Sequence, residues 1–209
     1  MLTVLVSQRV EVVVDRGETR DCLDRAWYPT LLELFGEQAV VPVPNHIAAA
    51  KSLLTDSLRP LIVLTGGNDV FETQPEVRER NSVERMLLEY ATKHALPVLA
   101  VCRGFQHLNV MLGGGLSTSD GHVGTPHTLY SADGSEEFIV NSFHNEAVGE
   151  SDLAEDLRVE LRSKDKLVEA AAHKIQPWLG VMWHPERSNL GHVHQMKFIQ
   201  RFFDRFKDS

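Results

Sequence analysis

The stretch VLAVCRGFQHL, residues 98–108, decides how the chain is read, because it drives four apolar residues into a cysteine, an arginine and a glycine. Val98–Val101 is a continuous apolar run of strand length, and residues 104–112 form a helical segment that stops at Gly113, Gly114 and Gly115. Cys102 therefore falls on a strand-to-helix turn. The first N–H groups of a helix have no intrahelical partner, and their partial positive charge favours a thiolate and any oxyanion formed beside it. Unpaired cysteine is also among the most buried residue types, so the turn alone leaves two readings open, nucleophile or core filling.

Outward from this turn the chain alternates. Leu2–Ser7 reads as a buried strand, residues 23–35 as a helix with Leu23, Trp27, Leu31, Leu34 and Phe35 on one side, and residues 39–43 as a second strand. Residues 47–58 form a plausible helix, Leu61–Leu64 a third strand ending in TGGND, and residues 81–96 a helix in which Asn81 and Glu84 have capping-box spacing. Alternating strands and helices predict an α/β fold with a mostly parallel central sheet flanked by helices. After Gly115 come shorter β-like pieces, residues 138–140, 157–161, 167–172 and 179–183, which predict a small additional β region. A final helix over residues 194–206 turns Met196, Ile199, Phe202, Phe203 and Phe206 to one side for core packing. One domain over residues 1–209 is the economical reading.

Composition excludes several partners. The 209 residues are 43% hydrophobic and 24% charged, with no apolar run of the roughly 18–20 residues that crosses a bilayer, so no membrane partner is expected. A net charge of -8 argues against nucleic acid, whose phosphates need a dense basic face. The opening MLTVLVSQRV lacks the features of an export signal, which predicts a cytoplasmic enzyme with Cys22 and Cys102 as free thiols. Ten histidines are present, most of them after residue 90, but no pair has the spacing of a closed zinc site. His122 and His127, in GHVGTPH, read as structural. Neither metal nor cofactor is expected for thiol chemistry, and the sequence sets no oligomeric state.

A base for Cys102 comes from WHPER, residues 183–187. Pro185 biases His184 towards an extended conformation, and side chains two apart on an extended segment share a side. Glu186 can then orient the His184 ring, a cysteine, histidine and carboxylate arrangement in which the imidazole moves the proton and the carboxylate stabilises its charge.

GGND at 66–69, CRGFQ at 102–106, NSFH at 141–144 and HPE at 184–186, in that order, resemble the class I glutamine amidotransferase superfamily, specifically its γ-glutamyl hydrolase-like branch. The likeness runs through nearly all of the chain from Leu61 onward. It implies the flavodoxin-like fold of that superfamily and a hydrolase that cleaves a γ-glutamyl amide through a thioester on Cys102. His184 would be the base and Glu186 its partner. The resemblance also implies an oxyanion hole from the backbone N–H groups of Gly67 and Arg103, with Arg103 contributing mainly that N–H. Gly66, Gln106 and the segment Asn141, Ser142, Phe143 and His144 would hold the γ-glutamyl group. For His144 a leaving-group contact and a satisfied loop histidine both stand.

Three leaving groups stay open. Residues 7–27, SQRVEVVVDRGETRDCLDRAW, resemble the opening of bacterial hydrolases of γ-glutamyl nucleotide amidates such as γ-glutamyl-CDP-amidate, from phosphoramidate routes to capsule polysaccharide. In that reading Arg9, Arg20 or Arg25 meets a diphosphate; in the plainer one they lie on a solvated helix face. Cys22, in the same helical pattern, reads as filling. A γ-glutamyl polyamine derivative and free glutamine, the latter for a glutaminase subunit serving a separate synthetase, are the alternatives. Asn145 and Glu146, which follow His144 where many polyamine-pathway hydrolases have His-Gln, weigh against the polyamine.

Overall fold

Strands buried on both faces read as unbroken apolar runs, and two such runs form the middle of the sheet in the computed structural model, which describes residues 2–206 except 56, 72, 120, 188 and 189. In chain order the elements are β1 (Leu2–Ser7), β2 (Arg9–Val13), β3 (Glu18–Cys22), α1 (Trp27–Phe35), β4 (Gln38–Val43), α2 (Ile47–Ser52), β5 (Leu61–Leu64), α3 (Pro75–His94), β6 (Val98–Val101) and α4 (Arg103–Met111). There follow β7 (Ser117–Thr118), β8 (His127–Ser131), β9 (Glu137–Val140), β10 (Glu146–Ala147), β11 (Leu157–Ser163), β12 (Val168–His173), β13 (Trp178–Val181) and α5 (His192–Asp204).

Nine strands form one sheet in the order β4-β1-β5-β6-β13-β12-β11-β8-β9. The five from β4 to β13 pair parallel and the four from β12 to β9 extend the sheet antiparallel. The expected α/β fold is present, but most of the additional β region is a continuation of the main sheet. Only the β2–β3 hairpin and the β7–β10 pair stand apart among the described residues. Pro42 lies in β4, an edge strand, where a missing N–H is tolerated.

Alternation along the central strands builds two cores. Val4, Val6, Leu61, Val63, Leu99 and Val101 join Trp27, Leu31 and Leu34 of α1 and Met196, Ile199, Phe202 and Phe203 of α5. Leu5, Ile62, Leu64, Val98 and Ala100 join Val83, Leu87 and Ala91 of α3 and Phe105 and Leu108 of α4. Successive side chains of one strand thus serve opposite helix layers.

Four sequence expectations change. Residues 9–22 are not α-helical: β2 and β3 form a hairpin, turned through a single 3₁₀ turn at Val14–Arg16 and Gly17 with φ +63°, and α1 begins only at Trp27, after Asp24 accepts from the Ala26 N–H at 2.9 Å. Cys22 is a strand residue whose thiol reaches Glu11 at 3.3 Å. The helix expected over 47–58 stops at Ser52, whose hydroxyl donates back to the Ala49 carbonyl. Asn81 and Glu84 form no capping box, because α3 starts at Pro75, whose fixed φ and missing N–H suit a first helical position. The last helix runs from His192 to Asp204, leaving Phe206 beyond its end and 37% exposed.

Gly104 lets α4 lie directly on β5: a Cβ there would stand 2.3 Å from the Leu64 carbonyl oxygen. Gly104→Ala is expected to destabilise the protein by at least about 1–3 kcal/mol, read from the midpoint of urea unfolding.

Candidate active site

The parallel pairing of β6 with β13 aligns Val101 with Val181, and the ladder continues one step further as the Cys102 N–H donates to the Val181 carbonyl at 2.7 Å. Cys102 therefore leaves the sheet beside the segment that carries His184. Its φ of 51° and ψ of -112° lie in a region that costs an L residue energy, a strained strand-to-helix turn. The residue is 6% exposed and immediately precedes α4, whose first intrahelical bond runs from the Gln106 N–H to the Cys102 carbonyl. The Arg103 N–H, at the first helical position, belongs to the helix end that lacks intrahelical partners.

His184 Nδ1 lies 2.7 Å from Glu186 Oε1, and both side chains are almost fully buried. Burial alone would disfavour imidazolium, yet hydrogen bonds with Cys102 and Glu186 outweigh it and push His184 up to about 9. Asn141 fixes the histidine backbone twice, accepting from the His184 N–H and donating to the His184 carbonyl, each at 2.8 Å. A Cβ on Gly66 would stand 2.7 Å from His184 Cε1, so the β5 exit packs directly under the imidazole.

Behind these turns lies a buried ion network absent from the sequence reading. The stripe Val77, Arg80, Glu84, Leu87 and Ala91 of α3 faces inward, and it carries two charges among the apolar residues. Arg80 Nε donates to Glu84 Oε1 at 2.9 Å, and its terminal nitrogens reach the carbonyls of Thr65 at 2.7 Å, Gly66 at 3.2 Å, and Gly67. Arg103 donates to the other Glu84 oxygen and to Asn81 Oδ1, so its side chain is a buried clamp as well as the bearer of an N–H. The two guanidiniums hold Glu84 down at about 2 against the opposing effect of burial. Burial and the neighbouring Arg103 lower Arg80 to about 10.

Arg80 also orients the Gly66–Gly67 peptide. In a planar trans peptide the C=O and the following N–H point opposite ways, so a Gly66 carbonyl turned to Arg80 turns the Gly67 N–H away from it.

Two clefts meet at this point. One, about 200 Å³, is bordered by Gly67, Cys102, Gln106, Phe143, His144 and Glu146 among others. The second, about 290 Å³, shares Gly67, His184 and Arg187 with it and extends over Arg9, Glu11, Cys22, Asp24 and Trp27. Gln106 borders the first while donating to the Glu146 carbonyl at 2.8 Å. Asn141 and Ser142 instead engage backbone, Ser142 through the His122 carbonyl. The Phe143 ring stands edge-on to His184 at 5.9 Å, with the Arg187 guanidinium 4.6 Å over its face. His144 borders the cleft but buries its ring with His122 and His127 against Glu169. Of the three arginines considered for a diphosphate, Arg9 borders a cleft; Arg20 pairs with Glu18 at the surface.

The glutamine amidotransferase class-I family model matches residues 30–206. The chain belongs to the class I glutamine amidotransferases. Among relatives of this amidotransferase, the γ-glutamyl-CDP-amidate hydrolase of Campylobacter jejuni is 29% identical over 206 residues, covering 97% of this chain and 98% of the relative. The γ-glutamyl-γ-aminobutyrate hydrolase PuuD of Escherichia coli is 30% identical over 212 residues, covering 82% and 81%. A glutamine amidotransferase structure from Thermotoga maritima superposes with a TM-score of 0.67 at 17% identity, covering 99% of this chain and 83% of that one, which shows the shared fold.

Two titrations bear on the amidotransferase's stability. Glu84 binds its proton less tightly when folded than its ordinary 4.5, so its stabilisation is present above pH 4.5 and lost as pH falls towards 2. Glu84→Gln, which leaves two buried guanidiniums facing a neutral amide, is expected to cost about 3–5 kcal/mol at neutral pH and to flatten that acid limb in denaturant titrations. His184 runs the other way, holding its proton more tightly when folded than its ordinary 6.5. Its stabilisation is complete below pH 6.5 and lost as pH rises through about 9. Thermal midpoints are expected to fall across that window, and to fall less in Glu186→Gln.

Proposed function

We propose that this amidotransferase-family chain is a single-domain cysteine hydrolase that releases glutamate from a small γ-glutamyl amide. The observation that carries the proposal is the meeting of a strained, helix-capping Cys102 with the His184–Glu186 pair at the ends of adjacent parallel strands. Cys102 Sγ, its proton passed to His184, attacks the γ-carbonyl carbon, and the resulting oxyanion accepts from the N–H groups of Gly67 and Arg103, each such donor contributing about 3 kcal/mol. His184 gives its proton to the leaving nitrogen, the C–N bond breaks and a γ-glutamyl thioester remains. Water then attacks that carbon as His184 takes its proton, the C–S bond breaks, and glutamate leaves. Glu186 holds the ring and stabilises its charge throughout.

The γ-glutamyl group fits the cleft between Gln106 and Phe143, and the leaving group fits the one under the β2–β3 hairpin. We assign a γ-glutamyl nucleotide amidate such as γ-glutamyl-CDP-amidate as the substrate. The full-length relation to the Campylobacter hydrolase supports it, as do Arg9 and Arg187, two cations lining the second cleft that suit a diphosphate. The cytoplasm is the proposed setting, where a catalytic thiol stays reduced.

Glutamate release is the assay, with glutamine, γ-glutamyl-γ-aminobutyrate and γ-glutamyl-CDP-amidate offered in parallel. The nucleotide is expected to turn over fastest, and Cys102→Ala to lower its rate by at least about 10⁴-fold while the circular dichroism of the fold is kept. Turnover of the aminobutyrate conjugate alone would remove the nucleotide assignment; turnover retained without the Cys102 thiol would remove the mechanism.

A further inference from the structure

Four side chains from separate segments converge away from the triad: His122 in the loop before β8, His127 at the start of β8, His144 between β9 and β10, and Glu169 on β12. One potential ligand atom from each lies within 4.8 Å of all the others. Glu169 is 1% exposed; its Oε1 meets the His127 ring nitrogen at 3.1 Å, and its Oε2 has no hydrogen bond among the described residues. His122 Nδ1 and His144 Nε2 are likewise buried without a hydrogen bond.

The outward nitrogens define what the inward ones are. His144 Nδ1 lies 3.1 Å from the Glu146 carbonyl oxygen, a pure acceptor, so Nδ1 carries hydrogen and Nε2 presents a lone pair. That lone pair points into the cluster, 3.6 Å from Glu169 Oε1. His122 Nε2 lies 2.9 Å from Asp165 Oδ2, which places hydrogen on Nε2 and leaves the inward Nδ1 as an acceptor. His127 Nε2 is 3.1 Å from Glu169 Oε1. One proton shared between His127 and Glu169 would satisfy that contact and leave the other two lone pairs facing a buried carboxylate. A divalent cation satisfies all four donors at once.

We propose that His122, His127, His144 and Glu169 form a structural metal site for zinc or a similar first-row divalent ion. Three imidazole nitrogens and one carboxylate oxygen form a donor set that suits zinc, with no thiolate to favour a softer ion. Tetrahedral zinc at about 2.0–2.1 Å from its ligands sets them about 3.3 Å apart, a spacing near that of His127 and His144 from Glu169, so only the wider pairs close on loading. Four protein ligands close the coordination sphere, which makes the ion a brace with no position for substrate. Asp165 and the Glu146 carbonyl, each taking the far N–H of a ligating histidine, are the outer partners that fix ring tautomer and orientation.

The brace sits against the active cleft. Glu146 also takes the Gln106 amide through the same carbonyl, Phe143 precedes His144, and the Glu169 carbonyl accepts from the Met182 N–H at 2.8 Å, two residues before His184. The ion would thus tie the Phe143 wall to the strand that delivers the base.

The test uses the full-length protein, stripped with a chelator and titrated with zinc or cobalt(II), with bound metal measured by mass spectrometry. About one metal per chain is expected, with the intense visible absorption of four-coordinate cobalt and a thermal midpoint raised by zinc. His127→Gln and Glu169→Gln should each abolish stoichiometric binding, and Asp165→Asn, which removes only an outer partner, should weaken it by about 10–100-fold. His192→Gln, at the surface pair with Glu33, should bind as the parent does. Should a ligand variant fail to fold, the cobalt spectrum and zinc-dependent midpoint of the parent still decide. A folded parent that takes up no stoichiometric zinc or cobalt overturns the proposal, and so does uptake that survives in both folded ligand variants. Every readout is metal or stability, so the outcome is independent of whether a γ-glutamyl amide is the substrate.

Discussion

Everything at the active cleft hangs on the parallel register of three short strands. Ile62 pairs with Val98 and Leu64 with Ala100, while Val98 pairs with Trp178 and Val101 with Val181. Cys102 is the next residue out of β6, the glycine pair follows Thr65 beyond β5, and His184 lies three residues beyond β13. A slip of one position would turn each strand's core residues to the wrong helix layer, so the packing that builds the two cores also holds in line the groups proposed to react. The alignment of Cys102 with His184 is here a by-product of hydrophobic sorting.

Register delivers the turns but does not orient their peptides, and that falls to the buried network on α3. A carboxylate between two guanidiniums is a poor source of net stability, since desolvation consumes much of the Coulomb attraction. Its geometry is what an apolar replacement could not supply. Arg80 reaches three successive carbonyls after β5, and Arg103 ties the first turn of α4 to the same carboxylate. The two segments proposed to face the oxyanion thus share one anchor.

The sequence carries the central strands plainly, because Leu61–Leu64 and Val98–Val101 are apolar on both faces and end in Thr-Gly-Gly and Cys-Arg-Gly. It carries the His184–Glu186 pair for a similar reason, since a two-residue spacing on extended backbone is local geometry. The hairpin of β2 and β3 was open to reading from Val10 and Val12 alternating ahead of an Asp-Arg-Gly turn, but the apolar periodicity that follows drew it into a helix. Arg80 and Glu84 were visible as polar residues on the apolar stripe of α3; taking Asn81 and Glu84 for a cap concealed them. Asn141 as a support for the His184 backbone had no local signal. The histidine cluster could not be read at all, because its members come from four segments whose meeting depends on β8 and β12 both flanking β11.

The hairpin has a consequence of its own. It contributes little to either core, with Val10 buried but Val12 and Val14 exposed, and it is held by a few polar ties such as Asn68 gripping the Val10 backbone and Asn45 meeting Asp21. Yet it roofs the half of the cleft beyond the cysteine. Under the proposed function the chemistry is anchored in the sheet, while the choice of leaving group rests on an appendage, the hairpin Arg9–Cys22, that stands outside both cores.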